Sequence, residues 1–197
     1  MKDPFSRFGG ISAVIVGVMS ILYAIFYLVI APQAQYIGTL GSWLILGTSG
    51  IFSSAAFVAL YSRLRSVSEG QALWAMLLGV GSGLATLMHG VYEAMLVGAP
   101  QAASTAPPVS QVDPAGLASF FILGIALFAF SRLMIGGGTL PKNLGYLGMF
   151  QALLVVVLFF ANVGGAQTLI LISGGLASVI IGPLWWIWLG RQLLKAM

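Results

Sequence analysis

The placement of basic residues along the chain limits its fold more than any other feature. Six apolar stretches, each long enough to cross a bilayer, are separated by gaps that alternate in charge. Lys2 and Arg7 precede the first stretch, Arg63 and Arg65 lie between the second and third, Arg132 and Lys142 lie between the fourth and fifth, and Arg191 and Lys195 follow the sixth. These are all eight Lys and Arg residues of the 197-residue chain, and the remaining gaps hold none. Basic residues are retained on the cytoplasmic face of a membrane protein. The pattern therefore predicts an all-α polytopic membrane protein, a single six-transmembrane-helix bundle over residues 1–197 with both N- and C-termini cytoplasmic.

Charge content supports the same medium. Charged residues make up 6% of the chain and hydrophobic residues 59%, whereas a soluble domain carries roughly 25% charged residues. A chain this poor in charge has no surface to offer water, and the expected partner is the lipid bilayer of the cell inner (cytoplasmic) membrane. The net charge of +4 does not point to nucleic acid, because the charges are distributed in pairs over four helix ends and form no stripe. Membrane-protein partners or a homo-oligomer remain open.

The spans are expected at about 10–30, 39–61, 71–97, 115–134, 143–163 and 167–194. Each meets the roughly 20 residues that a crossing needs at 1.5 Å per residue. The first apolar run, with Lys2 and Arg7 ahead of it, is longer than the core of a signal peptide and is expected to persist as a helix. Residues 98–114, rich in Pro, Ala and Ser, are expected to form a flexible outer loop. Asp113 is the expected N-cap of the fourth helix, with Pro114 in its first turn. Pro183, with Trp185, Trp186 and Trp188 after it, predicts a kinked sixth helix carrying an interfacial aromatic anchor. The Phe residues of the fourth and fifth spans are expected to face lipid.

The third span carries the candidate polar site. Gly79, Ser82, Gly83, Thr86, His89, Gly90 and Glu93 recur at spacings of three or four and share one side of a helix. Gly79, Gly83 and Gly90 are expected to pack against a neighbouring helix, and this span to be the central, most buried one. Ser82, Thr86, His89 and Glu93 form a candidate intramembrane polar site. His89 is the only histidine, and Glu93 lies one turn further on. They are expected about 12 Å and 6 Å inside the outer end of the helix. With every Lys and Arg at the opposite end, His89 is the natural hydrogen-bond partner of Glu93. A carboxylate at that depth otherwise costs on the order of 1–3 kcal/mol.

Several chemistries are excluded. The chain has no cysteine, which rules out thiolate catalysis, disulfides and cysteine-ligated iron–sulfur clusters. One His and one Glu are too few for a zinc site, and a single histidine cannot give bis-histidine haem. No Lys lies within a span, so a retinal Schiff base is excluded. The glycines from Gly79 to Gly83 lie inside a helix rather than after a strand and are not a nucleotide loop. No catalytic residue and no metal site is expected, and nothing selects a cofactor.

Several motifs resemble those of a loose family of bacterial six-helix membrane proteins classed as a domain of unknown function. They are Arg7 to Ile11 ahead of the first span, His89-Gly90-Val91-Tyr92-Glu93, Leu140 to Gly145, and Gly182-Pro183-Leu184-Trp185 with Trp188 and Gly190. The resemblance implies a small bacterial integral membrane protein and transfers no catalytic residue. Three functional readings follow. The first is a non-enzymatic structural, sensory or accessory subunit. The second is a small proton-coupled transporter using His89 and Glu93, with Gln151, Asn162, Ser49, Ser53 and Ser54 as its only further polar steps. The third is a pigment-, haem- or quinone-associated subunit of a bioenergetic complex with His89 as ligand.

Overall fold

The computed structural model describes residues 4–98 and 117–195, and every element in those segments is helical. In order they are α1 (Pro4–Ile25), continued by a π-helical turn over Phe26–Ile30; α2 (Gln35–Leu64); α3 (Glu69–Gly98); α4 (Leu117–Gly137); α5 (Lys142–Val163); and α6 (Gln167–Gly175), which passes through a π-helical turn at Leu176–Ile181 into α7 (Gly182–Lys195). Taken as continuous spans, six helices are long and apolar enough to cross a membrane. The expected loop and the expected cap at Asp113 and Pro114 lie outside the described residues.

The helices run further than their apolar cores. α2 starts at Gln35 rather than Thr39 and continues past Arg63 to Leu64; α1 begins at Pro4, ahead of Arg7. A charge ends an apolar stretch but not a helix, since Arg is a good helix former and its long stem lets the head move away from apolar surroundings. Real stops come from backbone geometry. Gly136 and Gly137 stay helical, and the chain leaves α4 only at Gly138, in the left-handed region at φ 66°. Beyond α5 the chain turns at Gly165 (φ 67°), where Ala166 N–H donates to Ala161 O at 2.8 Å and Gly165 N–H to Asn162 O at 3.1 Å. This pair of bonds is the Schellman closure that a left-handed glycine permits. At the start of α3, Ala72 N–H donates to Ser68 O at 2.9 Å. Glu69 in the first turn complements the positive end of the helix dipole.

Both π-helical turns precede a proline. A proline ring collides with the carbonyl four residues back and brings no N–H. In each case the residue just before the proline closes a wider, five-residue turn. Ala31 N–H donates to Phe26 O ahead of Pro32, and Gly182 N–H donates to Ala177 O ahead of Pro183. The wide turn makes room for the ring at the cost of poorer helical geometry. The expected break at Pro183 is thus a π-turn that divides the sixth span into α6 and α7.

Consecutive helices pack antiparallel, and the last returns to the first. α1 lies along α2, α2 along α3, α3 along α4, α4 along α5 and α5 along α6, while α7 packs on α1. Gly10 lies against Gly190 and Leu194, and Gly17 against Pro183 and Ile187, so the terminal spans are also antiparallel. This topology brings Arg7, Arg63, Arg65, Arg132, Lys142, Arg191 and Lys195 to one end, called the basic end below.

The main core lies in the half of the bundle nearest that end. Phe57 of α2 stacks on Phe130 of α4 with centroids 5.7 Å apart and meets Trp186 of α7 edge-on at 5.3 Å. Trp185 adjoins Trp186 at 4.8 Å, and Leu60, Leu64, Met134, Leu144 and Leu189 close around them. Among the described residues, the opposite half has a small buried cluster of Leu154, Val155 and Ala177.

Three expectations fail here. Trp185 and Trp186 are 0% and 5% exposed, so they are core residues and not an interfacial anchor. Phe130 is likewise fully buried rather than facing outward, although Phe128 and Phe160 are exposed as expected. α3 is not the central helix. It rests on α2 and α4 with Trp74, Leu77, Leu84, Met88 and Met95 exposed along its other side, and the large buried rings come from α2, α4 and α7.

Candidate functional site

The face of α3 that the sequence singles out divides between two neighbours. At 100° per residue, Gly79, Gly83 and Gly90 fall within about 40° of one another, while Ser82 and His89 lie about 60–80° further round. The glycines meet α2. A Cβ on Gly90 would stand 2.5 Å from Gly47 N and 2.7 Å from Trp43 O, and one on Gly79 would stand 2.6 Å from the Phe57 ring. One on Gly83 would press on Ser54 Oγ and lie 2.6 Å from Gly50 O. Backbone here touches backbone, as the small-residue pattern predicts.

Ser82 turns the other way. It is buried, and its Oγ donates to Ser119 O of α4 at 2.9 Å. Gln71 Nε2 reaches Ala129 O of the same helix at 3.4 Å. These polar side chains tie α3 to α4, while Thr86 Oγ1 donates back to Ser82 O at 2.9 Å. Ser82 thus joins two helices, and Thr86 bonds within its own.

His89 and Glu93 lie in the thinly packed half, at the end opposite the basic residues, and both are half-buried. The imidazole stands edge-on to the Trp43 indole of α2, with centroids 5.3 Å apart and an interplanar angle of 84°. Such pairs contribute roughly 0.5–1.5 kcal/mol beyond their buried area. The expected His89–Glu93 hydrogen bond is not formed. The imidazole leans across to α2, and among the described residues Glu93 makes no hydrogen bond or ion pair. No three His, Asp or Glu side chains converge among the described residues in a way that could hold a metal ion.

A second polar group, which the sequence does not bring together, lies inside the bundle. Ser131 of α4, Gln151 of α5 and Trp185 of α7 are 0%, 5% and 0% exposed. Gln151 Nε2 donates to Ala177 O at 3.2 Å, the carbonyl that already closes the π-turn of the sixth span. Gln151 Oε1, Ser131 Oγ and Trp185 Nε1 have no protein partner. The serine hydroxyl and the indole N–H both press toward the Cα of Gly148, which has no side chain to keep them off. At Gly148 the hydroxyl and the indole N–H supply two donors and one acceptor oxygen but no charge, a pair suited to one water or a small neutral polar group. Gln151, the one amide of α5 far from both helix ends, was the available signal. The burial of Trp185 had none, because a core tryptophan and an interfacial one read alike.

Most other polar side chains in the spans bond to their own helix. Ser49 donates to Leu46 O at 2.6 Å, Ser53 and Ser54 to Gly50 O at 3.0 and 2.9 Å, and Asn162 to Leu158 O at 2.8 Å. These are the residues a proton path from Glu93 would have needed, and each donor already has a backbone acceptor.

Comparison with family models, with curated proteins and with solved structures finds no match for this chain.

Proposed function

We propose that this chain is a multi-pass protein of the cytoplasmic membrane, with both termini in the cytoplasm, that acts as a non-enzymatic structural or accessory subunit. The observation that carries the reading is how the polar side chains of the spans are used. Most bond their own helix, as Ser49, Ser53, Ser54 and Asn162 do, or join one helix to another, as Ser82, Gln71 and Gln151 do. A carrier needs polar groups that can change partners along a path, and an enzyme needs ionisable groups that converge. The orientation is supported by the basic end, since Lys and Arg mark the cytoplasmic side.

Topology is directly testable because the chain has no cysteine. Single cysteines at Ser66 and Thr139, both exposed at the basic end, are expected to resist a membrane-impermeant maleimide in intact cells. Cysteines at Gln33 and Gln167, exposed at the other end, are expected to react. Labelling of Ser66→Cys together with Gln33→Cys overturns the orientation.

The accessory reading is tested against the carrier reading in proteoliposomes. Wild type and Glu93→Gln are expected to leave proton flux indistinguishable from protein-free vesicles. A flux that Glu93→Gln abolishes overturns the accessory reading in favour of transport.

A further inference from the structure

α4 and α5 leave an apolar groove on the outside of the bundle, walled by Phe128 on one helix and Tyr146, Phe150 and Leu153 on the other. Its floor is made by small residues: Ala152 is buried, and a Cβ on Gly124 would stand 2.6 Å from Val156 Cγ2. The four wall side chains are 44–58% exposed, so no described residue covers them. Both walls lead to the basic end. Arg132 lies one turn beyond Phe128, and Lys142 one turn before Tyr146, so each extends its wall by the i, i+4 step. Both cations are exposed. At 1.5 Å per residue the walls run about 12 Å from Gly124 to Arg132 and about 21 Å from Lys142 to Val156. One bilayer leaflet is about 15 Å of hydrocarbon.

We propose that this groove is a binding site for an anionic phospholipid of the cytoplasmic leaflet, with an acyl chain along Phe128, Phe150 and Leu153 and the phosphate between Arg132 and Lys142. The inference rests on the membrane reading above. An apolar slot of one leaflet's length with two cations at its mouth matches the two parts of such a lipid. Basic pockets between helices on the cytoplasmic side recognise phosphate headgroups in this way.

Native mass spectrometry of the purified protein, titrated with phosphatidylglycerol and with phosphatidylcholine of the same chains, tests the site. Wild type is expected to prefer the anionic lipid by on the order of tenfold. Arg132→Gln with Lys142→Gln is expected to erase that preference. Arg191→Gln with Lys195→Gln, the exposed basic pair on α7, should leave it intact. Leu153→Trp, which fills the groove, should weaken both lipids alike. Glycerol phosphate, the headgroup without chains, should not compete. Equal affinity for the two lipids, equal loss from either basic pair, competition by glycerol phosphate, or a dimer that excludes lipid each overturns the assignment. Failure of the membrane reading shows separately, as failure of the wild type to float with vesicles.

Discussion

Trp185→Ala is expected to lower the unfolding free energy by about 3 kcal/mol, with Trp74→Ala costing less than about 1 kcal/mol. Trp185 is fully buried, lies edge-on to Trp186 and is part of a ring cluster that extends through Phe57 to Phe130. Trp74 is 51% exposed on α3. In water, removing a buried aromatic costs about 3–5 kcal/mol, counting both the transfer of the ring and the void left behind. A helix unfolded within lipid keeps its indole in an apolar medium, so the transfer part is mostly absent and lost packing remains. That places the value at the low end. Trp185→Phe is expected to stay within about 1 kcal/mol of wild type, because it keeps most of the ring and removes a buried N–H that has no partner. Unfolding in mixed micelles, followed by circular dichroism, separates the three variants. An interfacial anchor would behave differently: Trp185→Ala and Trp74→Ala would then unfold together.

The same tryptophans mark where the sequence stops being informative. The number of long apolar helices and the alternation of charged ends are legible because both are properties of sequence length and composition; on the membrane reading, a crossing needs a fixed length of apolar helix, and a cation cannot be left inside. The position of Pro183 and the stop at Pro32 are legible because a proline acts on its own backbone. Which side of a helix meets a neighbour is set by the partner helix, and apolar spans carry little contrast between one side and another. Phe128 and Phe130 lie two residues apart on α4, one exposed and the other fully buried. The candidate site divides in the same manner. The glycine spacing on α3 placed Gly79, Gly83 and Gly90 in a close contact, since only a residue without a side chain can serve there. The i, i+4 relation of His89 and Glu93 placed both near one end, but it could not foresee that the Trp43 ring would draw the imidazole toward α2. Ser131, Gln151 and Trp185 come from three separate spans, and only the closing of α7 onto the bundle joins them.

The contact between α2 and α3 carries the other large effect. Gly90→Ala is expected to destabilise the protein by about 1–3 kcal/mol, the cost of forcing an extra carbon into a filled interior. Gly81→Ala should be neutral or up to about 1 kcal/mol more stable, the helix-propensity gain of Ala over Gly. The two positions are nine residues apart on one helix and receive the same substitution, so propensity cancels and only surroundings differ. A Cβ on Gly81 meets nothing within 4 Å. A Cβ on Gly90 meets Gly47 N at 2.5 Å, Gly47 Cα at 2.6 Å and Trp43 O at 2.7 Å. Those are backbone atoms of α2 and cannot swing aside, so relief requires the two helices to separate. Gly79→Ala falls between them. Its Cβ meets the Phe57 ring, a side chain, but one held between Phe130 and Trp186. Gly47→Ala, facing Gly90 from α2, would find its nearest neighbours at 3.3 Å and is expected to cost less than Gly90→Ala. The predicted order of stability is therefore Gly81→Ala, then Gly79→Ala, then Gly90→Ala, read from the same micelle titration. Separation of α2 from α3 would also draw Trp43 away from His89, so Gly90→Ala should shift the imidazole proton resonances, which the ring current of the neighbouring indole now displaces. If Gly90→Ala and Gly81→Ala unfold at the same point, the helices are not in backbone contact there, and the glycine pattern of α3 has some other cause.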